Sequence, residues 1–82
     1  MMTPQQKLKV PYIERFNGNL AFQKGENEEA IKHYNKSLFG LKMLFTMDKD
    51  PVITTQEQAV KLIQEIEIIV CINLSLCYIR TQ

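Results

Sequence analysis

Residues 18–37, Gly-Asn-Leu-Ala-Phe-Gln-Lys-Gly-Glu-Asn-Glu-Glu-Ala-Ile-Lys-His-Tyr-Asn-Lys-Ser, decide how this chain folds. Gly25 divides the stretch, and glycine readily adopts the left-handed backbone conformation that ends helices. Small residues on both sides of this turn would let two helices approach closely, and Tyr34 would fill the space beside them. These small residues are Gly18, Ala21, Ala30 and Ser37. The stretch therefore predicts an antiparallel helical hairpin.

Working outward from this hairpin, the sequence predicts three helices, at about 11–24, 27–47 and 56–81, and no strand. Pro11 suits the first turn of a helix, where its missing N–H costs nothing, so residues 1–9 are interpreted as a polar lead-in. In both hairpin helices apolar residues recur at steps of three and four, which predicts one inward-facing stripe on each. The predicted core residues are Ile13, Phe16, Leu20 and Ala21, then Ala30, Ile31, Tyr34, Leu38, Leu41, Leu44 and Phe45.

The third helix follows a predicted loop at 48–55, where Pro51 disfavours helical geometry at the preceding residue. Thr55 and Gln58 have the spacing of a capping box, which starts a helix. From Ile68 to Ile79 the sequence is apolar nearly all round, so this half of the helix is expected to be covered on more than one side.

The composition restricts the possible classes of function. The chain has 82 residues, which fits a single domain, and its formal net charge of +1 does not favour nucleic acid or an anionic membrane as partner. Glu65 and Glu67 interrupt the longest apolar run, so no membrane span is predicted. The N-terminal residues lack the apolar core of a signal peptide, and a cytoplasmic protein is expected.

No catalytic, cofactor or metal site is predicted. Cys71 and Cys77 are six residues apart and are interpreted as two reduced core residues, with a disulfide or a metal role as the alternative. His33 has only Glu29 at metal-ligand spacing, and such pairs are common on helix surfaces. Ser37 is a small packing residue with no base beside it by spacing. We therefore expect a protein that is not an enzyme.

The hairpin resembles the tetratricopeptide repeat, a helix-turn-helix unit of ~34 residues in which small and aromatic residues recur in this order. Residues of the third helix reproduce the spacing of the repeat's first helix: Cys71, Leu74, Ser75 and Tyr78. The resemblance implies an all-α fold in a single fragment of an α-solenoid. One full repeat would occupy about 11–47, and the first helix of a second repeat about 56–81. Such repeats are scaffolds that bind peptides.

Among repeat proteins, the chain is most similar to the chaperone-binding tetratricopeptide domains of large immunophilins, co-chaperones and small stand-alone repeat proteins. These domains hold the acidic C-terminal peptide of the 70- or 90-kilodalton heat-shock chaperones in a carboxylate clamp. The resemblance implies that the clamp residues here are Arg15, Asn19, Asn73 and Arg80. Two further cationic clamp residues of the family lie in a third repeat, which this sequence does not contain.

Each of these residues also has a simpler interpretation. Arg15 fits a solvated helix surface, Asn73 a satisfied core hydrogen bond, and Arg80 a solvated chain end. The leading hypothesis is a non-catalytic co-chaperone-type adaptor that binds such peptides when the full domain is present. The alternative is a structural helical element that self-associates without a clamp. In either case we expect a homodimer, or a larger assembly, through the third helix, because the hairpin alone cannot cover its apolar circumference.

Overall fold

The computed structural model describes residues 4–46 and 53–81, and these ranges contain three helices and no strand. Helix α1 spans Pro4–Gln23, α2 spans Asn27–Thr46, and α3 spans Gln56–Thr81. Helices α1 and α2 form an antiparallel hairpin, and α3 packs against both. The all-α fold built on a helical hairpin is thus confirmed. Most of the predicted loop, residues 48–52, lies outside the described residues.

Helix α1 begins at Pro4 rather than near residue 11, so the prediction of a polar lead-in is wrong for residues 4–9. Pro11 lies inside the helix, where its ring removes one helical hydrogen bond. The fully buried Pro11 carbonyl accepts a 2.7 Å bond from Ser37 Oγ of α2, and Leu8 packs against the core. Tertiary contacts therefore hold the first two turns.

The hairpin turn has the predicted glycine in the left-handed conformation. Gly25 has a φ of 78°. Its N–H donates to the Phe22 carbonyl at 3.1 Å, and the Glu26 N–H donates to the Ala21 carbonyl at 2.9 Å. This pair of bonds is the Schellman motif, which satisfies carbonyls that the helix end leaves free.

The prediction of the core holds for α2 and fails for most of α1. Ala30, Tyr34, Leu41 and Leu44 are buried, whereas Phe45 is 44% exposed. On α1 only Ala21 is buried among the predicted residues. The other three are exposed at 40 to 60%: Ile13, Phe16 and Leu20.

The side of α1 that packs on α2 carries small residues instead. Gly18 lies against the ring of Tyr34, and a Cβ atom at Gly18 would approach within 2.6 Å of that ring. Phe16 and Leu20 each lie about 160° around the helix from Gly18, at 100° per residue. The close approach of the two helices at Gly18 therefore leaves the larger apolar side chains of α1 facing away from α2.

Helix α3 is not uniform along its length. Its capping box forms as predicted. An α-helical segment at Gln56–Leu62 leads into a π-helical segment at Ile63–Ile68. An α-helix then continues over Ile69–Thr81. The side chains buried against the hairpin are Leu62, Ile66, Val70 and Cys77. The apolar ones left exposed are Val60, Ile63, Ile68, Ile69, Ile72, Leu76, Tyr78 and Ile79.

By length and composition α3 qualifies as a membrane-spanning helix, with a mean hydropathy of 1.8 in its most apolar window. It does so although Glu65 and Glu67 interrupt it. A core helix of a soluble protein passes the same test, but here only 22% of that window is buried. The lack of a membrane partner therefore stays a prediction.

The packing at Gly18 predicts the effect of a single added methyl group. Gly18→Ala should lower the free energy of unfolding by roughly 1–3 kcal/mol, because the rigid Tyr34 ring cannot yield without moving a helix. Gly40→Ala is the matched control, since its Cβ would lie 3.1 Å from the Val10 side chain and at an ordinary contact distance of 3.6 Å from the Pro11 ring. Urea unfolding followed by circular dichroism measures both. Wild-type stability of Gly18→Ala would contradict this account of the hairpin.

Candidate functional site

Helices α1 and α3 meet along a line of mostly polar contacts. From the N-terminal end, Glu65 contacts α1 at Tyr12 and Arg15. Asn73 then contacts Asn19, and Arg80 contacts Phe22. We call this line the α1–α3 seam, formed by Tyr12, Arg15, Asn19 and Phe22 of α1 with Glu65, Asn73 and Arg80 of α3. Residue numbers rise together on both helices, so α1 and α3 run parallel.

The α1 side of the seam follows from helical geometry. Tyr12, Arg15, Asn19 and Phe22 are spaced by three, four and three residues, which places them along one face of the helix. This face lies next to the small-residue face that packs on α2. All of them are half-buried, so their polar groups need partners within the protein.

At the N-terminal end of the seam, two α1 side chains hold Glu65. Tyr12 donates to Glu65 Oε2 at 2.8 Å, and Arg15 Nη1 donates to the Glu65 main-chain carbonyl at 2.8 Å. Arg15 Nε is buried and has no partner in the part of the chain that the structure describes. Burial, followed by the hydrogen bond to Glu65, raises the pKa of Tyr12 to about 12. The phenol therefore stays a neutral donor well above its usual titration range.

At its centre the seam joins all three helices. Asn19 Oδ1 accepts bonds from the Tyr34 hydroxyl at 2.6 Å and from Asn73 Nδ2 at 3.2 Å. Burial raises the pKa of Tyr34. Both bonds use the Asn19 carbonyl oxygen, and no bond of its amide nitrogen is found within the described residues.

At the C-terminal end Arg80 lies over Phe22. Its guanidinium carbon is 4.0 Å from the centre of the Phe22 ring, a cation–π contact, and Nη1 donates to the Phe22 carbonyl at 3.4 Å. Arg80 is nonetheless exposed. Its remaining N–H groups face solvent at the open end of the seam.

All four residues that the resemblance proposes as a clamp lie along the seam, but of these four only Asn19 and Asn73 bond to each other within the part of the chain that the structure describes. Arg15 is bonded rather than solvated, Asn73 makes the hydrogen bond that its simpler interpretation requires, and Arg80 is exposed but held against Phe22. The sequence prediction missed Tyr12, Phe22 and Glu65. Tyr12 was detectable in principle, because it lies three residues before Arg15 on the same face. In the sequence, Glu65 stands out only because it interrupts an apolar run.

The remaining candidate residues form no second site. His33 Nδ1 lies 2.7 Å from Glu14 Oε2, whereas Glu29 pairs with Lys32. The described residues contain no group of three or more His, Cys, Asp or Glu side chains that could hold a metal ion. Both cysteines are free. Cys77 is buried, which raises the pKa of its thiol, but Cys71 is exposed, so the prediction of a core position is wrong for Cys71.

Comparisons with models of known protein families, with curated proteins and with solved structures give no match to this chain. The resemblance to the tetratricopeptide repeat therefore stays a prediction.

The raised pKa of Tyr12 predicts a pH dependence of stability. The fold favours the neutral phenol, so this contribution is complete below pH 10, the ordinary pKa of tyrosine, and is lost as pH rises through about 12. The loss should be about 1–2 kcal/mol, less than the full linkage value because the phenol is only half-buried.

Tyr12→Phe removes this contribution. The difference in the free energy of unfolding between the wild type and Tyr12→Phe should therefore be constant up to about pH 10 and become smaller above it. Urea unfolding at a series of pH values measures this difference. Tyr78→Phe, at an exposed tyrosine, is the control and should track the wild type. A difference that does not change with pH would contradict the Tyr12–Glu65 bond.

Proposed function

We propose that this chain is a non-catalytic protein-interaction module whose α1–α3 seam receives the carboxylate end of a peptide. The observation that carries the proposal is the contact between Asn19 of α1 and Asn73 of α3, in which Asn73 Nδ2 lies 3.2 Å from Asn19 Oδ1. A carboxylate has two oxygens that accept several hydrogen bonds, and the unused N–H groups of Asn19 lie where such a group could be bound.

The charges along the seam favour the same ligand. Arg15 lies one helical turn before Asn19, and Arg80 lies two turns after Asn73. Arg80 has donors open to solvent, and charge-assisted bonds to a carboxylate are about twice as strong as neutral ones. Glu65 is the one carboxylate of the seam, and the Tyr12 hydroxyl already binds it. A peptide with an acidic C-terminal end therefore complements the seam.

The resemblance to chaperone-binding tetratricopeptide domains points to a specific source for such a peptide. It implies the acidic C-terminal end of a 70- or 90-kilodalton heat-shock chaperone, and a cytoplasmic co-chaperone adaptor as the working protein. The parallel arrangement of α1 and α3 supports this resemblance, because the first helices of successive repeats in a solenoid stack in the same direction.

The test is fluorescence anisotropy with a short peptide that ends in several acidic residues. The free acid should bind, and the same peptide with an amidated C-terminus should bind much more weakly. Asn19→Ala and Asn73→Ala should each reduce affinity by roughly 1–3 kcal/mol, the cost of a lost charge-assisted bond. Asn35→Ala, at an exposed asparagine on α2, is the matched control. Equal binding of acid and amide would refute the proposal.

A second candidate function is structural: self-association through α3. The observation that favours it is the apolar face along the C-terminal half of this helix. Its residues are Ile69, Ile72, Leu76 and Ile79, which are 40 to 66% exposed. A second copy of this chain supplies a matching face, because a two-fold interface pairs the same surface of both copies.

Sedimentation across a wide concentration range tests this candidate. The wild type should reach the mass of a dimer at high micromolar concentration. Ile72→Glu, which buries a charge in the proposed interface, should sediment as a monomer of 9.6 kDa. Ile13→Glu is the control, because Ile13 is similarly exposed but lies on α1. A wild type that remains monomeric throughout would rule out self-association.

A further inference from the structure

The π-helical segment of α3 corrects a mismatch between the sequence and a regular helix. Leu62, Ile66, Val70 and Leu74 follow one another at intervals of four, and all four pack against the hairpin. In a regular α-helix each interval of four turns the side chain by about 40°, so Leu74 would lie about 120° away from Leu62. A π turn, closed by i→i+5 bonds, holds an extra residue and cancels this drift.

Without the π turn, the C-terminal half of α3 would be rotated by about 100°, the angle of one residue. Ile69 and Leu76 would then face the hairpin in place of Val70 and Cys77. Asn73 would point into the apolar core rather than to its edge, and it would lose its contact with Asn19. The π turn therefore decides whether the centre of the seam forms.

Arg15 contacts the π segment directly. Its Nη1 donates to the Glu65 carbonyl at 2.8 Å, and Glu65 is the third residue of that segment. Tyr12 holds the Glu65 side chain from the same helix. A π turn disturbs the regular pairing of main-chain carbonyls, and an arginine from a neighbouring helix can supply the donor that a carbonyl in it lacks.

We propose that Arg15 is a positioning residue: its bond to the Glu65 carbonyl holds the π turn, and the π turn directs Asn73 towards Asn19. Arg15 then acts on the seam through α3 rather than by touching a ligand. The consequence for peptide binding rests on the proposed function, whereas the consequence for the shape of α3 does not.

Nuclear magnetic resonance of the full chain tests the structural part. Couplings across hydrogen bonds identify which carbonyl each N–H of residues 64–70 donates to. The wild type should show i→i+5 pairing in this region and contacts between the Asn73 and Asn19 side chains. In Arg15→Met the pairing should change to i→i+4 and the Asn73–Asn19 contacts should disappear.

The matched control is Arg80→Met. It is the same substitution at an arginine that also donates to a main-chain carbonyl of α1, but it does not touch the π segment. It should leave the i→i+5 pairing unchanged. If Arg15→Met also keeps that pairing and the Asn73–Asn19 contacts, the proposal is overturned.

Deletion of the exposed Gln64 gives a variant in which the role of Arg15 can be tested without a π turn. Removing one residue from the segment should yield a regular α-helix whose C-terminal half keeps its present rotation, so the seam no longer needs Arg15. Arg15→Met should then preserve the Asn73–Asn19 contacts in the deletion variant. If Arg15→Met alone prevents the chain from folding, the additional deletion of Gln64 should restore folding. Failure to restore folding would overturn the proposal.

Peptide titration separates positioning from direct binding. In the deletion background Arg15→Met should weaken binding of the acidic peptide much less than it does in the wild-type background, because only the charge of Arg15 is then lost and α3 keeps its rotation. A loss of affinity as large as in the wild-type background, with the Asn73–Asn19 contacts intact, would show that Arg15 touches the ligand and would overturn the positioning role. If neither the wild type nor any variant binds the peptide, the proposed function fails. The couplings across hydrogen bonds then still decide the role of Arg15.

Discussion

Tyr34 occupies the point where the three helices meet, and its placement constrains the rest of the structure. Its ring is fully buried against Gly18, where even one added carbon would be too close. Its hydroxyl must find a partner because a buried unpaired hydroxyl is costly, and Asn19 provides one at 2.6 Å. The ring therefore sets the distance between α1 and α2, and the hydroxyl fixes the orientation of the asparagine that meets α3.

The seam is a consequence of this arrangement. Once Asn19 is turned towards Tyr34, its oxygen also accepts from Asn73, and this bond favours one rotation of α3 about its axis. A regular helix cannot combine that rotation with the burial of both Leu62 and Leu74. The π segment reconciles the two demands, and Arg15 lies where it stabilises the altered turn. Polar contacts at the edge and apolar contacts in the core thus select the same geometry of α3.

Three helices of this length cannot cover all the apolar surface that the sequence carries. The hairpin buries one side of α3 and leaves the face with Ile72 and Ile79 open, and α1 leaves Phe16 open on its outer side. A chain of this size buries only about 60% of the surface of its unfolded state. On α3 the seam and the apolar face are neighbouring strips, because Arg80 lies about 40° around the helix from Leu76, at 100° per residue. Self-association through this face would therefore restrict access of a peptide to the seam.

The sequence by itself determined the features that depend on neighbours within one helical turn. Gly25 ends the first hairpin helix, Thr55 and Gln58 start α3, and the spacing of apolar residues gives the core face of α2. Only the tertiary structure decided which side of α1 is buried, because close approach at Gly18 favours small residues over Phe16. It also decided the π turn and the pairs along the seam, since these join residues about 50 positions apart whose mutual distance no local pattern encodes.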